Sequence, residues 1–435
     1  MTTILRTGFA FCLALLTFSS QLPAADLLAK RFLAGALDSN PGVASLRFQW
    51  ESLSHRPTIA ASLPDPELAY SYYLNSVQTR TGAMRQKISA RQKIPFPGKL
   101  AAAKDEANFA AEIAYWQYRA ALRDVFAQGK TLLADLYRAD ALILIVREQE
   151  ALLRQAVQSA EALIETDQGS LGNVIRTQVA AEEMGTRIAQ LEAERIGILA
   201  RMSALAGQTE ARPALSRYAD PHLPALPSLD QLLNRAVTAN PDLEAARATV
   251  ARDQAAIRLA TLAYYPDISL GLEYTDISAN IINPTTPQNG SDPVMGTISI
   301  NLPIWWDKLE AQKQVAIAQR GSSSAQQAQL TADISANVRA AHAMAQSMFT
   351  QRDRFASEIV PGTRQAYDSA QSAYSSGTAS LTDLLDVQRA FLAAELGLVE
   401  RTVGYLRAVA ELERAIGEPL HPISTKNPLH SDHLP

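Results

Sequence analysis

Asp267-Ile-Ser-Leu-Gly-Leu-Glu-Tyr-Thr275 reads as a strand with one apolar face. Ile268, Leu270, Leu272 and Tyr274 fall on one side, and Asp267, Ser269, Gly271, Glu273 and Thr275 on the other, the period of two that such a strand requires. Three more segments share the pattern. In 67–75, Leu68, Tyr70, Tyr72 and Leu74 point one way. After a short polar turn, Met84, Ile88 and Ala90 lie opposite Arg85, Lys87, Ser89, Arg91 and Lys93. After a loop at 281–293, Val294, Gly296, Ile298, Ile300 and Leu302 lie opposite Met295, Thr297, Ser299 and Asn301. About nine residues is the length at which a tilted strand crosses a bilayer, with the polar face on water and the apolar face on lipid. Tyr73, Tyr264, Tyr265, Trp305 and Trp306 near the strand ends suit membrane interfaces. Two soluble hairpins packed on a helix bundle are the alternative reading of these segments.

Four strands do not close a barrel, and an open sheet edge is not tolerated in hydrocarbon because its backbone groups go unpaired. Several chains must then share one barrel. Eight strands from two chains would fill with side chains, whereas twelve from three would leave an aqueous bore.

The strand pairs belong to a module that occurs twice. Asn40-Pro41 recurs as Asn240-Pro241, Pro64-Asp65 as Pro266-Asp267, Ile94-Pro95 as Leu302-Pro303, and Ala206-Gly207 as Ile416-Gly417. A repeat of roughly 200 residues is far longer than a solenoid unit and marks duplication of a whole module. The expected organisation is a signal peptide (1–25), a first repeat of helix, strand pair and long helical hairpin (26–207), and a Pro-rich linker (208–227). A second such repeat (228–418) and a disordered tail (419–435) follow.

From Lys99 to about Asp167 there is no proline, one glycine (Gly129), and apolar residues at three- and four-residue spacing. An unbroken helix here would be about 100 Å long, a coiled-coil length. It reverses at 168–172 and returns over 173–206. The second copy repeats the scheme with a helix over 229–263, another over 309–375 kinked at Pro361, a turn at 376–378, and a last helix ending at Ile416. The opening helix of the first copy is expected to break at Pro57.

Aromatic residues are only 6%, charged residues 19%, and the net charge is −4 with both signs interspersed, so no nucleic-acid partner is indicated. Arg6, the apolar run from Phe9 to Phe18 and Ala24-Ala25 read as an export signal, too short to span a bilayer. Cys12, the one cysteine, lies in that run without a lipobox before it, which leaves the mature chain without thiol chemistry. No serine-histidine-acid set or phosphate-cradling loop stands out, so no catalytic residue and no cofactor is expected. His421, His430 and His433 in the tail are a poor ligand set without a scaffold, and no metal site is expected.

Duplicated halves, strand pairs ending in Ile-Pro or Leu-Pro, and Gly377-Thr-Ala-Ser-Leu-Thr-Asp-Leu-Leu-Asp-Val-Gln388 before the last helix resemble the TolC family of outer-membrane efflux channel proteins. The likeness spans about 26–418. It implies an α+β chain whose long antiparallel helical hairpins form a periplasmic tunnel and whose four strands enter a shared twelve-stranded barrel of a homotrimer. It also implies docking to a periplasmic adaptor and, through it, an inner-membrane pump. Gln92-Lys-Ile-Pro-Phe-Pro-Gly-Lys99 is similar to the heavy-metal branch, the CzcC/CusC-like proteins that serve resistance-nodulation-division pumps. Metal ions are then the leading cargo, with drug efflux or type I protein secretion as alternatives. A periplasmic coiled-coil scaffold or adaptor is the rival of another class.

Asp383 and Asp386 lie three apart on one helix face. The resemblance matches them to the paired aspartates that ring the periplasmic aperture; alternatively, they favour the helix dipole. The first copy has Asn173 and Arg176 there. Gly169, Ser170 and Gly172, with Gly377, Thr378 and Ser380, mark the hairpin tips, as adaptor-docking contacts or as turn residues. Arg85, Lys87, Arg91 and Lys93 either line the barrel lumen and bias ion flow or lie near lipid headgroups.

Overall fold

The computed structural model describes residues 24–165, 170–208 and 223–420. The expected signal peptide lies outside them except for Ala24 and Ala25, as do most of the linker and the tail from 421. The first repeat runs α1 (Ala24–Ser39), α2 (Pro41–Ser54), α3 (Arg56–Ala61), β1 (Glu67–Tyr72), β2 (Gln78–Thr79), β3 (Gly82–Ile94), α4 (Lys99–Glu165) and α5 (Leu171–Leu205). The second runs α6 (Leu229–Ala239), α7 (Pro241–Leu262), β4 (Ile268–Ala279), β5 (Val294–Ile300), α8 (Trp306–Arg354), a π-helical turn (Phe355–Ile359), α9 (Val360–Ser375) and α10 (Leu381–Ile416). The 67 residues of α4 give a helix about 100 Å long.

Proline acts twice in ways the sequence pattern did not anticipate. Pro57 does not end the helical region but starts α3, in the first turn, where its missing N–H costs nothing. Before Pro361 the helix widens rather than simply bending: the Val360 N–H donates to the Phe355 carbonyl, five residues back. A π turn is one of the few ways to seat a proline inside a helix without losing the flanking hydrogen bonds.

The recurring Asn-Pro and closing Gly are two halves of one joint. The Asn40 side-chain oxygen accepts from Val43 N at 3.0 Å, capping α2, while its amide donates to Leu205 O at the end of α5, 2.9 Å away. Asn240 caps α7 through Asp242 N (2.9 Å) and Leu243 N (3.3 Å) and donates to Ala415 O in α10 at 2.8 Å. One side chain thus satisfies an orphan N–H of one helix and a terminal carbonyl of another. The helix ends approach so closely that only glycine fits beside them. Gly207 (φ +66) lies against Ser39, and a Cβ on Gly417 (φ +100) would fall 2.6 Å from the Asn240 Cα. A buried cluster surrounds each joint: Val43, Leu122, Leu136, Ile198 and Leu205 at the first, and Leu243, Val338, Tyr405, Leu412 and Ile416 at the second. The core is therefore distributed along the rod.

The sheet is antiparallel throughout, in the order β1-β3-β4-β5, with β2 as a short addition to β3. The helices follow the same order. Next to the sheet α3 and α2 pack on α4, α4 on α7, and α7 on α8; farther along, α5 packs on α4, α4 on α10, and α10 on α9. Four staves result, each a strand continued by helix, and α4 is the spine that both repeats share.

Asn40→Ala and Asn240→Ala each remove a cap and a helix-to-helix bond. Each is expected to cost about 1–2 kcal/mol. The two are expected to add, because separate clusters surround the two joints. Denaturant unfolding in detergent, followed by helical circular dichroism, measures both.

Candidate functional site

The strand registers assign the two faces of the sheet. Tyr70 pairs with Ile88 and Ile88 with Tyr274; Ala90 pairs with Leu272, and Leu270 with Ile298. Leu68, Tyr70, Ile88, Leu270, Leu272, Val294, Ile298 and Ile300 thereby form an apolar face, broken by Gln92 beside Leu270 and by Gln86, which donates to Asp276 at 2.9 Å. It is bare in the single chain, with Leu68 78% and Ile298 74% exposed. The opposite face carries Glu67, Ser71, Lys87, Ser89, Arg91, Lys93, Ser269, Glu273, Thr297 and Ser299.

Lys87, Arg91 and Lys93 lie on that polar face. Arg85 does not follow the simple alternation. The β3–β4 register shifts between Met84 and Gln86, leaving Arg85 outside the ladder and pairing Met84 with Ile277, on the side of Thr275 rather than of Ile88. A one-residue bulge reverses the sides of everything beyond it. The face is also less basic than a list of its cations suggests. Lys87 Nζ lies 2.6 Å from Glu273, Lys93 Nζ lies 3.2 Å from Asp267, and Arg91 stands opposite Glu67.

Asp267 is the joint between sheet and helices. Its carboxylate accepts from the Phe96 N–H (2.9 Å) and Lys99 Nζ (2.7 Å), besides pairing with Lys93; its own N–H donates to the Asn301 side chain. The stretch from Gln92 to Lys99 therefore has a structural task, wrapping the end of β3 around the start of β4. Sequence reading placed Asp267 and Glu273 on the polar face but not as partners of these cations; their period-two positions opposite the basic strand were the available signal.

At the far end, Leu153, Ala181, Tyr367, Tyr374, Leu381 and Leu384 share one buried cluster, which brings both hairpin ends together. Asp383 and Asp386 are exposed there on α10. Asp383 completes a capping box, accepting from Ser380 N (3.3 Å) and Ser380 Oγ (2.7 Å) while its N–H donates to Ser380 Oγ (3.2 Å). Asp386 accepts from Arg389 at 3.2 Å. Ser170 caps α5, accepting from Gly172 N; Gly172 is therefore the second residue of a helix and not a turn glycine. Gly377 has φ +74 and does turn the chain, and the Thr378 N–H and Oγ both donate to Ala373 O, at 2.9 and 3.0 Å. Gly169 lies outside the described residues. Among the described residues no group of three or more His, Cys, Asp or Glu is placed to hold a metal ion, and no helix is long and apolar enough to cross a membrane.

Between the spine and α10, Gln388 donates to Gln149 Oε1 (2.9 Å) and Gln149 donates to Glu395 Oε2 (3.0 Å), with Gln149 fully buried. Burial pushes the Glu395 carboxyl up and Glu148 adds to it, only partly offset by the Gln149 bond and Arg364.

The architecture, a four-stranded sheet continued by long helical staves, has counterparts among known proteins. The outer membrane efflux protein family matches residues 232–418. The cobalt-zinc-cadmium resistance protein CzcC of Cupriavidus metallidurans is 23% identical over 399 residues, 91% of each chain. Among solved structures, the outer-membrane channel OprN superposes with a TM-score of 0.76 at 17% identity over 90% of both chains. CusC superposes at 0.74 and 18%, over 90% of this chain and 92% of that one. VceC of Vibrio cholerae superposes at 0.75 and 19%, over 91% and 97%. The fold is that of these outer-membrane channels, and the second repeat matches the outer membrane efflux protein family.

The Glu395 carboxyl gives a signed pH dependence. Its folded-state pKa is raised, so the folded chain holds this proton more tightly than the unfolded one. The group's contribution is greatest below the ordinary carboxylate range and is lost as pH rises through the raised value. Glu395→Gln is expected to raise the unfolding midpoint at neutral pH and to flatten its dependence above pH 4, as thermal melts across that range would reveal.

Proposed function

We propose that the protein is the outer-membrane conduit of a tripartite efflux system, passive in itself, through which a pump in the inner membrane expels metal ions by way of a periplasmic adaptor. The observation that carries this is the sheet, with one face largely apolar and bare, the other polar, and both edge strands without neighbours among the described residues. In hydrocarbon those edges demand partners. The staves suit a head-to-tail ring of identical chains: β1, α3, α2 and α5 form one side and β5, α8 and α9 the other. Each side exposes apolar residues, including Ile59, Ile175 and Val179 on the first and Val315, Ile317 and Phe349 on the second. Because β1 and β5 run in opposite directions, the seam between copies is antiparallel like every other pair. Three copies give the twelve strands of a water-filled barrel, and the rods continue it as a tunnel through the periplasm.

Metal ions are favoured as cargo by the likeness to a protein named for cobalt, zinc and cadmium resistance. The hairpin tips, around Ser170, Gly172, Gly377, Thr378 and Ser380, form the end that an adaptor would grip. Three copies of Asp383 and Asp386 would ring the aperture there and favour cations.

Two measurements test this reading. Spin labels at Leu270 and Ile298 are expected to report lipid, and labels at Ser269 and Thr297 water, in chains that run as trimers in detergent; a stable monomer or an inverted pattern overturns it. Asp386→Ala, losing only a surface ion pair worth about 0–1 kcal/mol, is expected to raise single-channel conductance and weaken block by divalent cations. Asp383→Ala additionally loses a helix cap worth about 1 kcal/mol. Wild-type conductance and block in both variants would remove the pair from the aperture.

A further inference from the structure

The cations of β3 all lie on the polar side of the sheet or beside it, yet each one within the ladder has a carboxylate drawn from another strand. Glu273 on β4 meets Lys87 at 2.6 Å, with the two side chains 21% and 33% exposed. Asp267 meets Lys93, and Glu67 on β1 stands across from Arg91. Glu273 and Asp267 come from the second repeat and the lysines from the first, so the match forms only when the two repeats join in one sheet. Left unmatched, the row would be a basic stripe, repeated in every copy of the chain around the bore. A unit charge acting across about 8 Å of water is worth about 0.5 kcal/mol, enough to concentrate anions and hold back metal cations near the wall.

We propose that Glu273 is a selectivity-determining residue of the barrel, cancelling the charge of Lys87 so that the wall passes cations. This rests on reading the polar face as a water-filled lumen. Asp267 has a structural task besides its pairing, whereas Glu273 makes only the one ion pair among the described residues, which makes it the residue to change.

The test uses the purified full-length chain in planar bilayers under a potassium chloride gradient, in wild-type and Asp386→Ala backgrounds, the latter to lessen the aperture's share of the selectivity. Glu273→Gln is expected to raise the chloride-to-potassium permeability ratio roughly two-fold, and Lys87→Gln to lower it similarly. The double neutral variant, and the exchange of Lys87→Glu with Glu273→Lys, are expected to return it to the wild-type value. An unchanged ratio in both single variants, or a shift of both in one direction, overturns the proposal. Failure of the lumen reading is detected separately. With Cys12 replaced, Glu273→Cys should react with an impermeant charged thiol reagent while Leu272→Cys is protected; the opposite pattern defeats the lumen itself, whatever the permeability ratio.

Discussion

The outer edges of β1 and β5 constrain everything else in this chain. Their outward backbone N–H and C=O groups meet no other strand among the described residues. In water such an edge is satisfied by solvent; in hydrocarbon each unpaired group costs several kcal/mol. The apolar face beside them leaves little choice of surroundings, since a bare surface of Leu, Ile, Val and Tyr across four strands is not stable in water. Lipid suits the face and punishes the edges. Only closure with further copies of the sheet answers both, and the alternating strand directions make closure by identical copies possible without a parallel seam.

Closure of the strands also disciplines the helices. Each strand runs directly into helix, so the spacing of the staves in the barrel is handed on to the rod. The Asn40 and Asn240 joints make this workable. They let α5 continue α2, and α10 continue α7, as stacked pieces, although the chain between those pieces travels to the sheet and back. Ion pairs across the spine, such as Lys130 with the buried Glu413 and Arg195 with Asp140, hold neighbouring staves in register. Truncating one partner of such a pair is more damaging than the pair is stabilising, because a charge would be left stranded. Their value here lies in fixing which helix faces which.

Much of this was legible in the sequence because period-two and period-3.6 patterns report on faces, and faces are what this fold is made of. The strand faces, the 67-residue helix and the duplication follow from those patterns. The misses are local and have local causes. A bulge at Arg85 adds one residue without a sequence mark, since neither glycine nor proline occupies it. Pro57 reads as a break and Pro361 as a kink, yet a proline in a first turn starts a helix as readily as it ends one, and Pro361 is seated by a π turn. Gly172 reads as a turn glycine because glycine is common in turns, but the cap falls on Ser170. The carboxylate partners of the basic face were visible as residues and invisible as partners, because pairing depends on which strands become neighbours. The β3–β4 pairing joins residues about 190 apart.

Duplication explains why the two hairpin tips differ in chemistry while their frames agree. Both tips start their second helix with a capping serine, Ser170 and Ser380, so the turn itself is conserved by geometry between the halves. On that common frame the second half places Asp383 and Asp386, and the first places Asn173 and Arg176. A ring built from both halves would alternate the two kinds of tip around its end. Carboxylates on every tip would crowd like charges into the narrowest part of the tunnel, whereas alternation separates them with neutral or basic neighbours. Asp383 is in addition tied down by Ser380, whereas Asp386 is held by an exposed Arg389, so on the proposed aperture reading Asp386 is the carboxylate more available to an ion. The same pattern recurs in the sheet, where Glu273 and Asp267 of the second half pair with Lys87 and Lys93 of the first, so that in both places unlike halves meet with complementary or separated charge.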